Sequence, residues 1–384
     1  MRRFGRTVLG GMVALGLLAA VPAAVFAAQP SCGDTLTSNT TLTADLDCSG
    51  YSGTALTLGA KGITLDLGGH TLWGPTGGQD NLTGVDTGGY NKVTVKHGTI
   101  ANFTYAVYED GSLDSTFKKL TITGDPADND DYGFDMSYGV GNTITSNHIS
   151  GVYYGLYLYG GADTTVSSNH ITDAGYAMYA EYESDDHFTG NYAEYSYAGF
   201  YDDYGSHQTY KGNTANGGPG SGSYGFYLDC DDYGWVHFTN NVSKGNSSYG
   251  VYTYYCYDDT SPMDGSVITG NVSHNNGSYG FYDYYSHGTT WTYNTAKHNA
   301  SDGFYLDYPG KVVFQHNVAS ANDGSGIDVT DNYGTGYGNF KSLSYNKANN
   351  NGDYGMYASY GVPNTTGNVA TGNSSQDCFN IRCN

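Results

Sequence analysis

A four-residue phrase recurs along this chain: an aromatic or small residue, Gly, an apolar residue, then Tyr. It reads Tyr154-Gly155-Leu156-Tyr157, Tyr224-Gly225-Phe226-Tyr227, Tyr249-Gly250-Val251-Tyr252, Tyr279-Gly280-Phe281-Tyr282 and Tyr354-Gly355-Met356-Tyr357. Weaker copies centre on Ala177, Gly199, Gly303 and Gly326. A repeat of this length constrains the architecture more than any single motif does.

A second phrase keeps step with the first. It is Asn, any residue, then a small or apolar residue, as in Asn147-His148-Ile149, Asn169-His170-Ile171, Asn213-Thr214-Ala215 and Asn317-Val318-Ala319. In later copies a further Asn follows five residues on, at Asn246, Asn276, Asn299, Asn322, Asn351 and Asn373. Gly and β-branched residues at this density oppose helix, and no 3.6-residue apolar period survives. Short alternating runs such as Ile63-Thr64-Leu65-Asp66-Leu67 fit strands instead. Each period has room for about three short strands, and stacking the periods gives a parallel β-helix. The predicted fold is all-β: a right-handed, single-stranded parallel β-helix of roughly 11–14 coils and on the order of 60 Å long. The repeated Asn predicts an amide ladder running coil to coil. The repeated Gly predicts a sharp turn with positive φ. The apolar residue after it points into the core.

The N-terminus reads differently. A basic start with Arg2, Arg3 and Arg6, an apolar Val8–Ala20 and small residues near Ala27 have the pattern of a secretory signal peptide over residues 1–28. One β-helix domain then spans 29–384. Removing the three arginines takes the formal charge from −22 to −25. Such a surface repels nucleic acid and anionic lipid, and polyanionic sugars as well unless a bound cation intervenes, and no later segment is apolar enough for membrane insertion. The chain is expected to be secreted or to sit at the cell surface. Six cysteines in an exported chain suggest disulfides. Locality favours Cys32–Cys48 and Cys378–Cys383, and Cys230 and Cys256 fall on neighbouring coils, which makes a bridge between coils plausible.

The Asn and Gly periodicity resembles the right-handed parallel β-helix repeat of the pectate-lyase-like superfamily. The segment from Cys32-Gly33-Asp34-Thr35-Leu36 to Gly68-Gly69-His70-Thr71-Leu72 resembles the first coils of its secreted bacterial members. The resemblance spans Cys32 to Asn384 and implies a fold. It implies activity only loosely, because the superfamily holds lyases, glycosidases, epimerases and adhesins. Basic residues are scarce between Glu181 and Asp283, where only Lys211 and Lys244 occur, so the lyase-type Arg or Lys base has no obvious counterpart. The Arg-x-Lys segment of polygalacturonase-like enzymes and the Asp-Pro-His-Asp segment of alginate-epimerase-like enzymes are absent.

Two residues after the Gly is an outward strand position. It holds Tyr157, Tyr179, Tyr201, Tyr227, Tyr252, Tyr282 and Tyr305. One explanation is a stacked ladder that stiffens the solenoid. The other is a sugar-binding platform, because flat rings cover pyranoses and phenols bond to sugar hydroxyls. Acids follow closely: Glu181, Glu183, Asp185 and Asp186, then Asp202 and Asp203, then Asp229, Asp231 and Asp232, then Asp258, Asp259 and Asp283. Asp202 and Asp283 fall where the repeat calls for an inward Leu. Candidate catalytic groups are Asp202, Asp203, Asp229 and Asp283 with His207 as base. Asp231 and Asp232 are candidate ligands for Ca²⁺. Solvated turn acids explain the same cluster without chemistry. Two functions follow: a protein that binds and cleaves an extracellular polysaccharide, by lyase or glycoside-hydrolase chemistry if it is an enzyme, or a non-catalytic structural or adhesive rod.

Overall fold

The computed structural model describes residues 29–77, 81–124, 131–217, 224–230, 234–256, 265–331 and 340–384. The predicted leader lies outside them. One coil consists of strands Tyr154–Tyr159, Thr165–Ser167 and His170–Thr172, and the next of Tyr176–Glu181, His187–Thr189 and Tyr192–Glu194. Corresponding strands pair in parallel: Leu156 lies beside Met178 and Tyr157 beside Tyr179. The first strands of all coils build one 15-stranded sheet from Asp34–Leu36 to Cys378–Phe379. The second and third strands build two further stacks, which merge where Thr94–Ala101 and Thr116–Thr123 run through both. Among the described residues there is no helix. At the spacing of paired strands, the rod is about 65 Å long.

The Asn ladder forms as the repeat predicts. Asn213 Oδ1 accepts the backbone N–H of Asn191 at 2.9 Å and its side-chain Nδ2 at 3.1 Å. Asn213 Nδ2 in turn donates to Phe188 O at 2.8 Å and to Asn241 Oδ1 at 3.1 Å. The pattern repeats from Asn147 to Asn368. A second ladder runs from Asn246 to Asn373 and ends on Asp377, whose Oδ1 accepts from Asn373 Nδ2 at 2.8 Å. Burying an amide is costly unless it is bonded. Here each amide is bonded by its own copies in the neighbouring coils.

The repeated Gly plays a different part from the predicted one. Gly155, Gly225 and Gly250 do not have positive φ. They sit in strands, where the coils come closest. A Cβ on Gly155 would run into the Ala177 carbonyl oxygen of the next coil, and one on Gly225 would lie 2.6 Å from the Gly250 carbonyl oxygen. The bends are made elsewhere. In one coil Tyr182, Asp185 and Tyr195 take φ of +55°, +59° and +54°. Most bend positions are therefore held in the left-handed region by residues other than Gly.

Between the sheets the core is a column of aromatics. Phe200 and Phe226 stack at 4.6 Å, and Phe281 and Phe304 at 4.8 Å. All four are fully buried, each contributing roughly 2–3 kcal/mol by burial. The disulfides are Cys32–Cys48, Cys230–Cys256 and Cys378–Cys383. The middle one ties adjacent coils, since Cys230 ends strand Tyr224–Cys230 and Cys256 follows strand Tyr249–Tyr254.

Candidate functional site

The outward face of the long sheet carries three parallel rows of side chains, because consecutive coils are in register. The first row is Tyr105, Tyr132, Tyr154 and Tyr176, interrupted by Ala198 and resumed at Tyr224 and Tyr249. The middle row is Tyr157, Tyr179, Tyr201, Tyr227, Tyr252, Tyr282 and Tyr305, so all seven predicted tyrosines come together. Asp135 precedes it and Asp328 follows it in the same row. The third row places Tyr159 beside Glu181 and Glu181 beside Asp203; further along, Asp229 pairs with Tyr254, which leads to Tyr284 and Asp307.

Stacking fixes what these rings present. Tyr179 and Tyr201 are 5.1 Å apart with planes 5° from parallel, and Tyr252 and Tyr282 are 4.8 Å apart at 19°. First-row rings press their edges on the middle row, as Tyr176 does on Tyr201 at 5.5 Å and 85°. Ring faces in the middle row are thus largely occupied by neighbouring tyrosines. The predicted flat platform of ring faces is replaced by a comb of ring edges and hydroxyls. Burial raises every hydroxyl in the row, joined by neighbouring tyrosines and, except at Tyr252, by carboxylates; Tyr201 and Tyr305 are pushed up to about 12. Tyr157 is raised by burial and by Glu181, to whose Oε2 its hydroxyl donates at 3.2 Å. The row therefore offers neutral O–H donors across the physiological range.

The acids divide into two groups. Asp203 is half-buried on the face, and burial followed by Glu181 raises its carboxyl. Asp229 is 7% exposed on the same row. Asp202 and Asp283 instead point into the coil. Asp202 lies in register between Ala180 and Leu228, 3% exposed, and Tyr210 Oη donates to its Oδ2 at 3.0 Å. Asp283 is fully buried and accepts from Thr253 Oγ1 at 2.6 Å and from Ser286 Oγ. Burial pushes Asp283 up to about 6 and holds Asp202 well above the ordinary carboxylate range.

Glu183 and Asp186 are also interior, not solvated acids beside the stripe. Left-handed bends at Tyr182 and Asp185 turn them inward, where they accept backbone N–H groups of the preceding coil: Gly161 to Glu183 Oε1 at 2.7 Å and Thr164 to Asp186 Oδ1 at 2.6 Å. His207 sits at a partly exposed bend, 3.6 Å from Asp185 through Nδ1 and packed on Trp235 at 5.1 Å. Asp231, Asp232, Asp258 and Asp259 lie outside the described residues. Among the described residues no three His, Cys, Asp or Glu side chains are grouped to hold a metal ion.

Sequence reasoning missed an acidic group at the far end of the rows. Asp302, Asp307 and Asp328 surround Tyr305 and Tyr279. Burial and, for Asp302 and Asp328, neighbouring acids push Asp302 up to about 7 and Asp328 to about 6; burial with Asp331 pushes Asp307 to about 6. Carboxyls near neutrality suit proton transfer. The signal was available at Asp328, which stands where the repeat places Tyr.

The family described as "Right handed beta helix region" matches residues 56–192, 132–273 and 204–375. Among solved structures, the A-module of mannuronan C-5 epimerase AlgE6 from Azotobacter vinelandii is similar with a TM-score of 0.54 and 17% identity, covering 90% of this chain and 91% of its own. The AlgE4 A-module from the same organism gives 0.51 and 13% over 91% of this chain and 90% of its own. The periplasmic alginate epimerase AlgG gives 0.51 and 13% over 85% of this chain and 78% of its own. These likenesses are of fold. No curated protein matches this chain in sequence.

Proposed function

As the chain belongs to the right-handed β-helix family, we propose that it is an exported protein that binds an extracellular polysaccharide along the tyrosine face. The observation that carries this reading is the unbroken middle row from Tyr157 to Tyr305, seven hydroxyl-bearing rings at one per coil. A rod's core and ladders account for its stability without phenols at an outward position. A regular line of neutral donors suits a polymer with regular hydroxyls, and the adjoining carboxylates supply acceptors. The similarity to alginate epimerases supports a glycan as partner, although the Asp-Pro-His-Asp segment is absent.

The test uses affinity gels containing neutral plant and bacterial polysaccharides. Joint replacement of Tyr201, Tyr227 and Tyr252 by Phe keeps the stack and removes three hydroxyls. Retardation of the wild type that the triple variant loses supports the reading. Retardation that survives overturns it and leaves the row as a stiffening ladder in a structural rod. If the chain also cleaves its polysaccharide, the acids that reach the face are its candidates. Asp203→Asn and Asp328→Asn should each cut product release, whereas equal product from both variants and wild type removes them as catalysts.

A further inference from the structure

Basic residues are rare in this acidic chain and line up in two places: Lys96 beside Lys118, where Asp66 pairs with Lys96 at 3.2 Å, and a second row that has no such carboxylate. On the third strand of the coil, Lys244 lies in register with His274, and His274 with Lys297. His298 follows at an exposed bend with φ of +54°. Lys244 is exposed, while His274 and Lys297 are partly so. The row is bounded by neutral residues, Asn216 in the coil before and Ser320 in the coil after.

Like-signed groups directly opposite on neighbouring strands repel and destabilise the sheet. Among the described residues no carboxylate forms an ion pair with any of these four side chains. Burial first, then Lys297, Lys244 and His298, hold the His274 imidazole below its usual value. These are the charged groups on the two strands packed against it and at the bend beside it. The repulsion is relieved if an anion lies along the row.

We propose that Lys244, His274, Lys297 and His298 form a binding site for a linear glycan bearing carboxylate or sulfate groups, on a sheet separate from the tyrosine face. The row runs along the rod axis and spans two coil steps, about 10 Å. Two lysines with an imidazole between them, one group per coil, match a polymer with regularly spaced anions better than a single small ion. Lysines supply point charges that accept either oxyanion. The overall negative field excludes nucleic acid as the better ligand, since its dense phosphates need many cationic contacts. The site is independent of the tyrosine row.

Calorimetric titration of the secreted protein at low salt tests it, with a uronate trisaccharide, a sulfated oligosaccharide, a neutral oligosaccharide and a short single-stranded oligonucleotide as probes. The uronate, the sulfated probe or both should bind, which identifies the anion. Lys244→Gln with Lys297→Gln should weaken that binding by about fivefold to tenfold, while Lys341→Gln, at an exposed lysine outside the row, leaves it unchanged. An anion raises the imidazole, so binding takes up a proton and tightens as pH falls from 7.5 to 5.5, by at most about tenfold per pH unit. The carboxylates of the uronate probe, being exposed to solvent, stay ionised over that range. Equal affinity for the neutral probe, indifference to the double substitution, tighter binding of the oligonucleotide, or no binding of either anionic glycan overturns the proposal.

Discussion

Tyr201 lies flat on Tyr227, with ring centroids 4.4 Å apart and planes 5° from parallel. This is the closest contact of the middle row, and it separates what the ring does from what the hydroxyl does. The ring is packing; the hydroxyl is what the row presents outward.

Tyr227→Phe should therefore leave stability nearly unchanged, and Tyr227→Ala should lower it by about 2 kcal/mol through lost stacking and a gap beside Tyr201 and Tyr252. Guanidinium unfolding of both variants reads the difference. Equal losses would mean that the hydroxyl, not the stack, holds the face together.

Asn213→Ala removes the acceptor for two donors of Asn191 and the donor to Phe188 O. Leaving these groups buried and unpaired should cost about 3 kcal/mol. Because solenoid coils are stabilised by their immediate neighbours, the damage should be local. Hydrogen exchange should quicken at the Asn191 amide and its coil while amides near Cys378 stay protected.

Two glycines should respond oppositely to what their backbone angles suggest. Gly151 has φ of +67° but open space around a Cβ, so Gly151→Ala should cost about 1 kcal/mol. Gly250 lacks positive φ, yet a Cβ there would overlap Ser273 Oγ and lie 2.6 Å from the Gly280 carbonyl oxygen. Gly250→Ala should cost 3 kcal/mol or more, roughly the upper end for overpacking. Melting temperatures of the two variants rank them.

The same glycines show what a sequence reveals of this architecture. Periodicity announced the coils, the Asn ladder and the inward Phe column, because each depends on a residue meeting its own copy one coil later. Alternation put Asp202 and Asp283 where other copies carry an inward Leu, but did not decide whether the strand continued there; the structure turns both inward. The Gly column was misjudged because close approach between coils is a relation across the stack, and nothing local distinguishes it from a turn. Tyr182 and Asp185 hid the bends for the converse reason: left-handed backbone is made here by residues that usually avoid it. With the bends misplaced, Glu183 and Asp186 read as surface acids. Which way the rings face in the tyrosine row depends on their mutual packing, so hydroxyls and ring faces could not be told apart from the repeat.

Glu183 and Asp186 make the protein's stability depend on pH. Both are raised in the folded state, chiefly by burial, with each other's charge adding to Glu183; Glu109 and Asp302 are pushed up to about 7. In the unfolded chain these groups ionise near the ordinary carboxylate values, about 4. Between that value and their folded values the native state holds protons that the unfolded state has released. Stability is therefore fully present at pH 4 and declines as pH rises through the neutral range. Glu183→Gln keeps an acceptor for the Gly161 N–H and offers a donor to Asp186. It should raise the melting temperature at pH 8, by a gain of at least about 1 kcal/mol, and change it little at pH 4. A melting temperature that rises with pH in the wild type, or a variant equally stabilised at both pH values, would show that the pair is ionised in the folded protein.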